Sequence, residues 1–168
     1  MYELRPEGLD FLGSAPVIHV FEGDVAAPRK AVFALVADTA SWAQWFPGFR
    51  RGSYGAPPET GTQVGMPRSI VIGPGVRIEE HVAAWDEPER YAYGVERTSV
   101  PMANALVEAW DLTEIDVPGS PGGGTRVKWT FAIDPKWPMR LTTPLAPPVL
   151  GFLFRKALRK LEAAAQAG

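Results

Sequence analysis

The segment Ala26–Pro47, AAPRKAVFALVADTASWAQWFP, decides how the rest of the chain is interpreted. Pro28 suits the first position of a helix, and apolar residues then recur at helical spacing as far as Asp38. Ser41 is a good N-cap for a second short helix, which carries two tryptophans and ends at Pro47. The segment therefore predicts two short helices in succession.

Strand-like segments lie on both sides of these helices. Val17–Val25 precedes them and is rich in Val, Ile and Phe, which predicts a first strand. After Pro47 the chain consists of short apolar runs separated by Gly, Pro or Asp clusters. Connections this short leave no room for crossover helices, so the runs predict an antiparallel sheet of seven strands, the first included. The later strands are predicted at Phe49–Tyr54, Thr62–Ile72, Val76–Trp85, Tyr91–Thr98, Leu106–Val117 and Thr125–Asp134.

A long amphipathic helix is predicted at the C-terminal end. Apolar residues mark one face and basic residues mark the other, which is the pattern of a helix packed on one side. The apolar face is Leu150, Phe154, Leu158, Leu161 and Ala165, and the basic face is Arg155, Lys156, Arg159 and Lys160. The fold class is therefore α+β.

This order of elements resembles the START-like superfamily, also called SRPBCC, which includes polyketide cyclase/dehydrase and lipid-transport families. The motifs that carry the resemblance are Ala26–Pro47, AAWDEPERYAYGV at Ala83–Val95 and GGGTRVKWTFAI at Gly122–Ile133. The resemblance implies a helix-grip fold, in which the curved antiparallel seven-stranded sheet wraps around the C-terminal helix and leaves a cavity between them. It implies one domain over residues 17–168 after an N-terminal extension of residues 1–16. It implies no fixed chemistry.

Composition excludes several classes of function. The 168 residues contain no cysteine, which excludes disulfides and thiolate sites, and the net charge of -2 comes without a basic block for nucleic acid. Charged residues interrupt the first sixteen positions, and no uncharged run reaches membrane-spanning length, so we expect a cytoplasmic protein without an integral membrane segment. His19 and His81 are the only histidines, and they form no metal signature. No cofactor or metal is predicted, and a homodimer is possible.

Three charged residues interrupt apolar rows that strand alternation points inward: Arg68, Glu80 and Glu108. A charge on an apolar face must be paired or must bind something polar. One interpretation is an anchor for the polar end of a ligand, with a glutamate of raised pKa as a candidate catalytic general base. The other interpretation is an internal salt bridge or a set of positions that reach water. The sequence leaves both open.

Aromatic side chains come from several elements that the resemblance places around the cavity. Together they can line a site for a flat or aliphatic ligand, although each alone is more often a core residue. The full set of predicted ligand-binding residues is Trp45, Met66, Arg68, Glu80, Tyr93, Glu108, Trp110, Trp129, Phe152 and Phe154.

Three functions are compatible with these features. The favoured one is binding or transport of an apolar or amphipathic small molecule, such as a lipid or a polyketide-like or aromatic compound. The second is a cyclase or dehydrase that uses the charged residues for acid-base catalysis. The third is a protein-interaction module whose cavity is filled by its own aromatic side chains.

Overall fold

The computed structural model describes residues 1–118, 120, 122–137, 139–142 and 146–167, with residue 142 described by its backbone alone. Its strands are β1 (Tyr2–Glu3), β2 (Val17–Val25), β3 (Phe49–Tyr54), β4 (Pro67–Ile72), β5 (Val76–Asp86), β6 (Arg90–Thr98), β7 (Ala103–Ile115) and β8 (Gly124–Pro135). Its α-helices are α1 (Phe11–Ser14), α2 (Arg29–Ala37), α3 (Trp42–Trp45), α4 (Met139–Thr142) and α5 (Ala146–Ala167), and a 3-10 turn, Thr39–Ser41, joins α2 to α3.

The strands form one antiparallel sheet in the order β2-β8-β7-β6-β5-β4-β3, with β1 paired separately to β6. All seven predicted strands are present, and the α+β helix-grip fold is confirmed. The predicted third strand begins at Pro67 rather than at Thr62, because the preceding residues form turns in which Gly61 and Gly65 have φ values of 72° and 87°. Such φ values are open to glycine and strained for other residues.

Bulges bend the sheet and set which side chains face its concave side. The register of β5 against β6 shifts between Glu79 and Glu80 and again between Val82 and Ala84. A bulge places one extra residue on one strand and can reverse the alternation beyond it. Accordingly Val82 and Trp85 both contact the main core, whereas Ala84 packs with the alanines of the opposite face.

Helix α5 packs against the concave side of the sheet, as its apolar stripe predicts. Phe154 lies 5.9 Å from Phe21 of β2, measured between ring centroids, and Leu161 is fully buried. The helix also contacts α2 and α3. Gly23 allows the close approach of β2, because a Cβ atom at this position would clash with the side chain of Leu158. The predicted basic residues of the helix are all exposed.

Helices α2 and α3 lie where the opening segment predicts them, but the predicted cap between them is wrong. Ser41 belongs to the 3-10 turn, and its hydroxyl donates to the carbonyl oxygen of Leu35 at 2.6 Å. The carboxylate of Asp38 instead accepts from the backbone N–H of Ala40 at 3.0 Å and caps the turn. Ser41 has helical backbone angles and its hydroxyl donates to the carbonyl oxygens of Leu35 and Asp38, so it does not cap α3.

The N-terminal segment contacts both sides of the sheet: β1 pairs with β6 and Leu4 packs on the concave side with Ile70 and Ile78, whereas Phe11 packs on the convex side. Leu4 and Phe11 are buried, and α1 contacts β7 and β8. The sheet surface beneath the segment consists of small side chains, which let a chain segment lie close to the strands: Ala84, Ala92, Ala105, Val107, Ala109 and Ala132.

Candidate functional site

A cavity of about 610 Å³ lies between the concave face of the sheet and α5. Its exposed lining residues Gly48, Pro74 and Lys156 mark where it opens to solvent. Deeper in, most of the lining is apolar or aromatic, and it comes from α3, from α5 and from strands β4 to β8. The deeper lining includes Trp42, Phe46, Ile70, Ile72, Val76, Ile78, Glu80, Tyr93, Met102, Glu108, Trp110, Trp129, Phe131, Leu150, Leu153 and Phe154.

Polar groups are concentrated at one place in this lining, formed by Glu80, Tyr93 and Glu108, which we call the polar corner. Glu108 Oε2 accepts hydrogen bonds from the hydroxyl of Tyr93 at 2.9 Å and from Nε1 of Trp129 at 2.8 Å. The Tyr93 hydroxyl in turn accepts from Nε1 of Trp110 at 3.4 Å. Two neighbouring strands therefore hold the Glu108 carboxyl through a chain of aromatic donors.

Glu80 is held by a buried arginine behind the polar corner. Arg68 and Glu80 face each other across β4 and β5, and Nε of Arg68 lies 2.6 Å from Oε2 of Glu80. Their side chains are 0% and 2% exposed. The guanidinium also donates to the Tyr91 hydroxyl at 2.9 Å. Its central carbon lies over the rings of Trp42 and Tyr93, at 4.4 Å and 4.2 Å from their centroids. Ion pairing and cation–π contacts thus replace part of the hydration that burial removes, while Nη2 of Arg68 has no hydrogen-bond partner among the described residues.

Burial shifts the ionisation of this group of residues. Burial raises the pKa of the Glu80 carboxyl, although the charge of Arg68 opposes that change. Burial, together with the nearby charge of Glu80, raises the pKa of Glu108 to about 7. Burial also raises the pKa of Tyr93 well above its ordinary value, so the phenol stays protonated and donates to Glu108. Glu108 is thus a carboxyl that exchanges its proton near neutral pH.

Residues 20–166 of this chain match the family described as polyketide cyclase / dehydrase and lipid transport. The chain belongs to this family. Members of the polyketide cyclase / dehydrase and lipid transport family have a ligand-binding role, and the cavity of this chain is consistent with it.

Similar proteins extend the comparison. Uncharacterized protein Rv2574 of Mycobacterium tuberculosis is 26% identical over 161 residues, which is 96% of this chain and 92% of that protein, and Mb2604 of Mycobacterium bovis matches equally. A START superfamily protein from Mycobacterium smegmatis superposes with a TM-score of 0.70 at 13% identity, covering 89% of this chain and 97% of that one. The protein XoxI from Bacillus cereus superposes with a TM-score of 0.66 at 16% identity, covering 89% of this chain and 96% of that one. These structures show the fold alone.

Six of the ten predicted binding residues line the cavity: Glu80, Tyr93, Glu108, Trp110, Trp129 and Phe154. Trp45 and Met66 are buried in the core, and Arg68 lies behind Glu80. Phe152 is 59% exposed and does not line the cavity, so its predicted placement is wrong. Two residues along a helix turn the side chain by more than half a circle, so Phe152 and Phe154 cannot share a face.

Several residues of the site were missed from the sequence. Trp42 and Tyr91 hold Arg68, and Phe131 lines the cavity. Tyr91 and Phe131 stand two positions from Tyr93 and Trp129 on their strands, so the inward alternation pointed to both. Nothing in the sequence pointed to Trp42 rather than Trp45.

Two other predicted features have a definite place. His81 lies outside the cavity, where Nδ1 is 3.2 Å from a carboxylate oxygen of Glu96, and its side chain is 24% exposed. Within the described ranges, no three side chains from His, Asp and Glu are grouped to hold a metal ion. None of the helices in those ranges has the length and apolar character needed to cross a membrane.

Proposed function

We propose that this protein binds an apolar or amphipathic small molecule in the cavity between its sheet and α5. The observation that carries the proposal is a space of about 610 Å³ whose walls are mainly apolar and whose polar groups are concentrated in the polar corner. Cavities of several hundred cubic ångströms with few polar groups are typical of small-molecule sites. An interaction module with a filled core would lack this volume, so it is the less favoured reading.

The proposal is tested by filling the cavity. N-phenyl-1-naphthylamine, a neutral dye that fluoresces in apolar surroundings, serves as the probe. Ile78→Trp places a large ring at the cavity wall, and Ile72→Trp does so where the wall is half-buried. We expect both variants to bind the probe roughly tenfold or more weakly than the wild type, because an indole removes much of the available space.

The matched control is Val20→Trp, which adds the same side chain at a position of β2 that is 52% exposed. It should bind the probe as the wild type does. Native mass spectrometry of the purified wild type adds a second readout, the mass of any ligand carried through purification. The proposal fails if the wild type neither binds the probe nor carries a ligand, or if the filled variants bind it unchanged.

A second candidate function is acid-base catalysis on a ligand held in the same cavity. It is favoured by Glu108, whose pKa of about 7 lets it give and take a proton at neutral pH while it faces the cavity. If the reaction is a dehydration, the wild-type protein should carry bound product, whereas Glu108→Gln should carry unconverted substrate that is heavier by one water. Native mass spectrometry of the two proteins, purified from the same host, measures that difference. Identical bound masses would argue against catalysis.

A further inference from the structure

The hydrogen bonds of the polar corner leave carboxyl oxygens free and occupy the donors of Tyr93, Trp110 and Trp129. Nη2 of Arg68 has no hydrogen-bond partner among the described residues, but Arg68 does not line the cavity. The described residues donate to Glu108 only at Oε2, from Tyr93 and Trp129, and to Glu80 only at Oε2, from Arg68. The Oε1 atom of each carboxyl therefore remains to accept a hydrogen bond. Glu80 is 2% exposed, so water has little access to it except through the cavity.

Charge in the polar corner is also unbalanced. Two carboxyl groups, Glu80 and Glu108, share one cation, Arg68, whose guanidinium lies behind Glu80 and does not line the cavity. The rings of Trp42 and Tyr93 also lie against the guanidinium. An anionic ligand group would add a third negative charge to a site where burial and Glu80 already raise the pKa of Glu108.

We propose that the polar end of the ligand is a hydrogen-bond donor, a hydroxyl or an amine, that binds the free carboxyl oxygens of Glu80 and Glu108, and that a carboxylate or phosphate end is rejected. This inference rests on the proposed function of the cavity. It narrows the ligand class to alcohols, phenols and amines with an apolar body. Free fatty acids and phospholipid headgroups are excluded from the polar corner.

The test compares three ten-carbon compounds that share a body and differ at the end: decan-1-ol, decylamine and decanoate. Each competes with N-phenyl-1-naphthylamine for the protein at pH 8, where the carboxyl of Glu108 is mainly ionised. Decan-1-ol and decylamine should compete roughly tenfold or more strongly than decanoate, because only they satisfy the free acceptors without adding negative charge.

Glu108→Gln reports whether the polar corner causes this preference. Gln keeps the size of the side chain and removes its charge, so the preference for decylamine over decanoate should fall about tenfold. The control is Glu114→Gln on the same strand, whose side chain is 72% exposed, and it should leave the preference unchanged. Binding of the naphthylamine probe by Glu108→Gln shows that the variant keeps its cavity.

The outcomes separate this inference from the function on which it rests. If the probe does not bind and no ligand is carried through purification, the proposed function fails. If the probe binds but decanoate competes as strongly as decan-1-ol and decylamine, the inference alone fails. If the preference exists but survives in Glu108→Gln, the role given to the polar corner is overturned.

Discussion

Replacing Glu108 with glutamine should flatten the dependence of stability on pH. The folded protein holds the Glu108 proton more tightly than the unfolded chain does, because burial and the charge of Glu80 raise the pKa from 4.5 to about 7. The folded state is therefore penalised as the carboxyl ionises. This contribution to stability is fully present below about pH 4.5 and is lost as the pH rises through about 7.

The size of the effect follows from the linkage between proton binding and folding. Where the folded state holds one more proton than the unfolded state, the free energy of unfolding falls by about 1.4 kcal/mol per pH unit. Between pH 5 and pH 8 the loss from Glu108 alone is then about 2.5 kcal/mol. Glutamine does not ionise, and its carbonyl oxygen can still accept from Tyr93 and Trp129. The variant should therefore gain stability relative to the wild type as the pH rises.

Urea unfolding followed by tryptophan fluorescence at pH 5, 6, 7 and 8 measures this difference. The quantity of interest is the free energy of unfolding of Glu108→Gln minus that of the wild type. The contributions of other titrating groups largely cancel in this difference. Glu114→Gln, an exposed change on the same strand, should give a difference that stays nearly constant with pH. If the difference for Glu108→Gln also changes by less than about 1 kcal/mol between pH 5 and 8, the reasoning about its buried carboxyl is refuted.

Three further changes test other parts of the structure by urea unfolding at pH 7. Arg68→Met leaves the buried carboxylate of Glu80 unpaired and should lower the free energy of unfolding by about 3–5 kcal/mol. Adding Glu80→Leu should restore most of this loss, and no restoration would contradict the ion pair. Gly52→Ala brings a Cβ atom within 2.9 Å of a backbone oxygen and should cost about 1–3 kcal/mol, whereas unchanged stability would contradict this packing. Phe11→Ala should cost about 3 kcal/mol and the exposed control Leu9→Ala little, while equal losses would argue that the N-terminal segment does not stabilise the sheet.

The fold could be predicted because the ends of its strands and helices are set by local sequence. Proline and glycine clusters separate the strands, and alternation within each strand is read from neighbouring residues alone. The packing of the N-terminal segment was not predicted, because it depends on contacts between distant residues. The pairing of Tyr2 with Thr98 and the burial of Phe11 require a partner surface about a hundred positions away, which no local pattern reveals.

The sequence predicted which way the polar residues of the site face, but not which residues they bind. Alternation identified Arg68, Glu80 and Glu108 as inward-facing, and all three point to the concave side. The salt-bridge interpretation applies to two of these residues, and the ligand anchor stays a proposal. Arg68 and Glu80 form the internal salt bridge, because register places them opposite each other on neighbouring strands. Glu108 lies two strands farther along the sheet and is bound by aromatic donors instead.

The aromatic side chains can line a cavity without collapsing into it because their polar atoms fix them in place. The indole N–H of Trp42 donates to Val36 at 2.8 Å, that of Trp129 donates to Glu108 at 2.8 Å, and that of Trp110 donates to the Tyr93 hydroxyl at 3.4 Å. A ring that rotated to fill the space would lose its hydrogen bond and leave a buried donor unpaired, which costs about 1–3 kcal/mol. The wall of the cavity is therefore formed before a ligand arrives, and binding need not include the cost of ordering it.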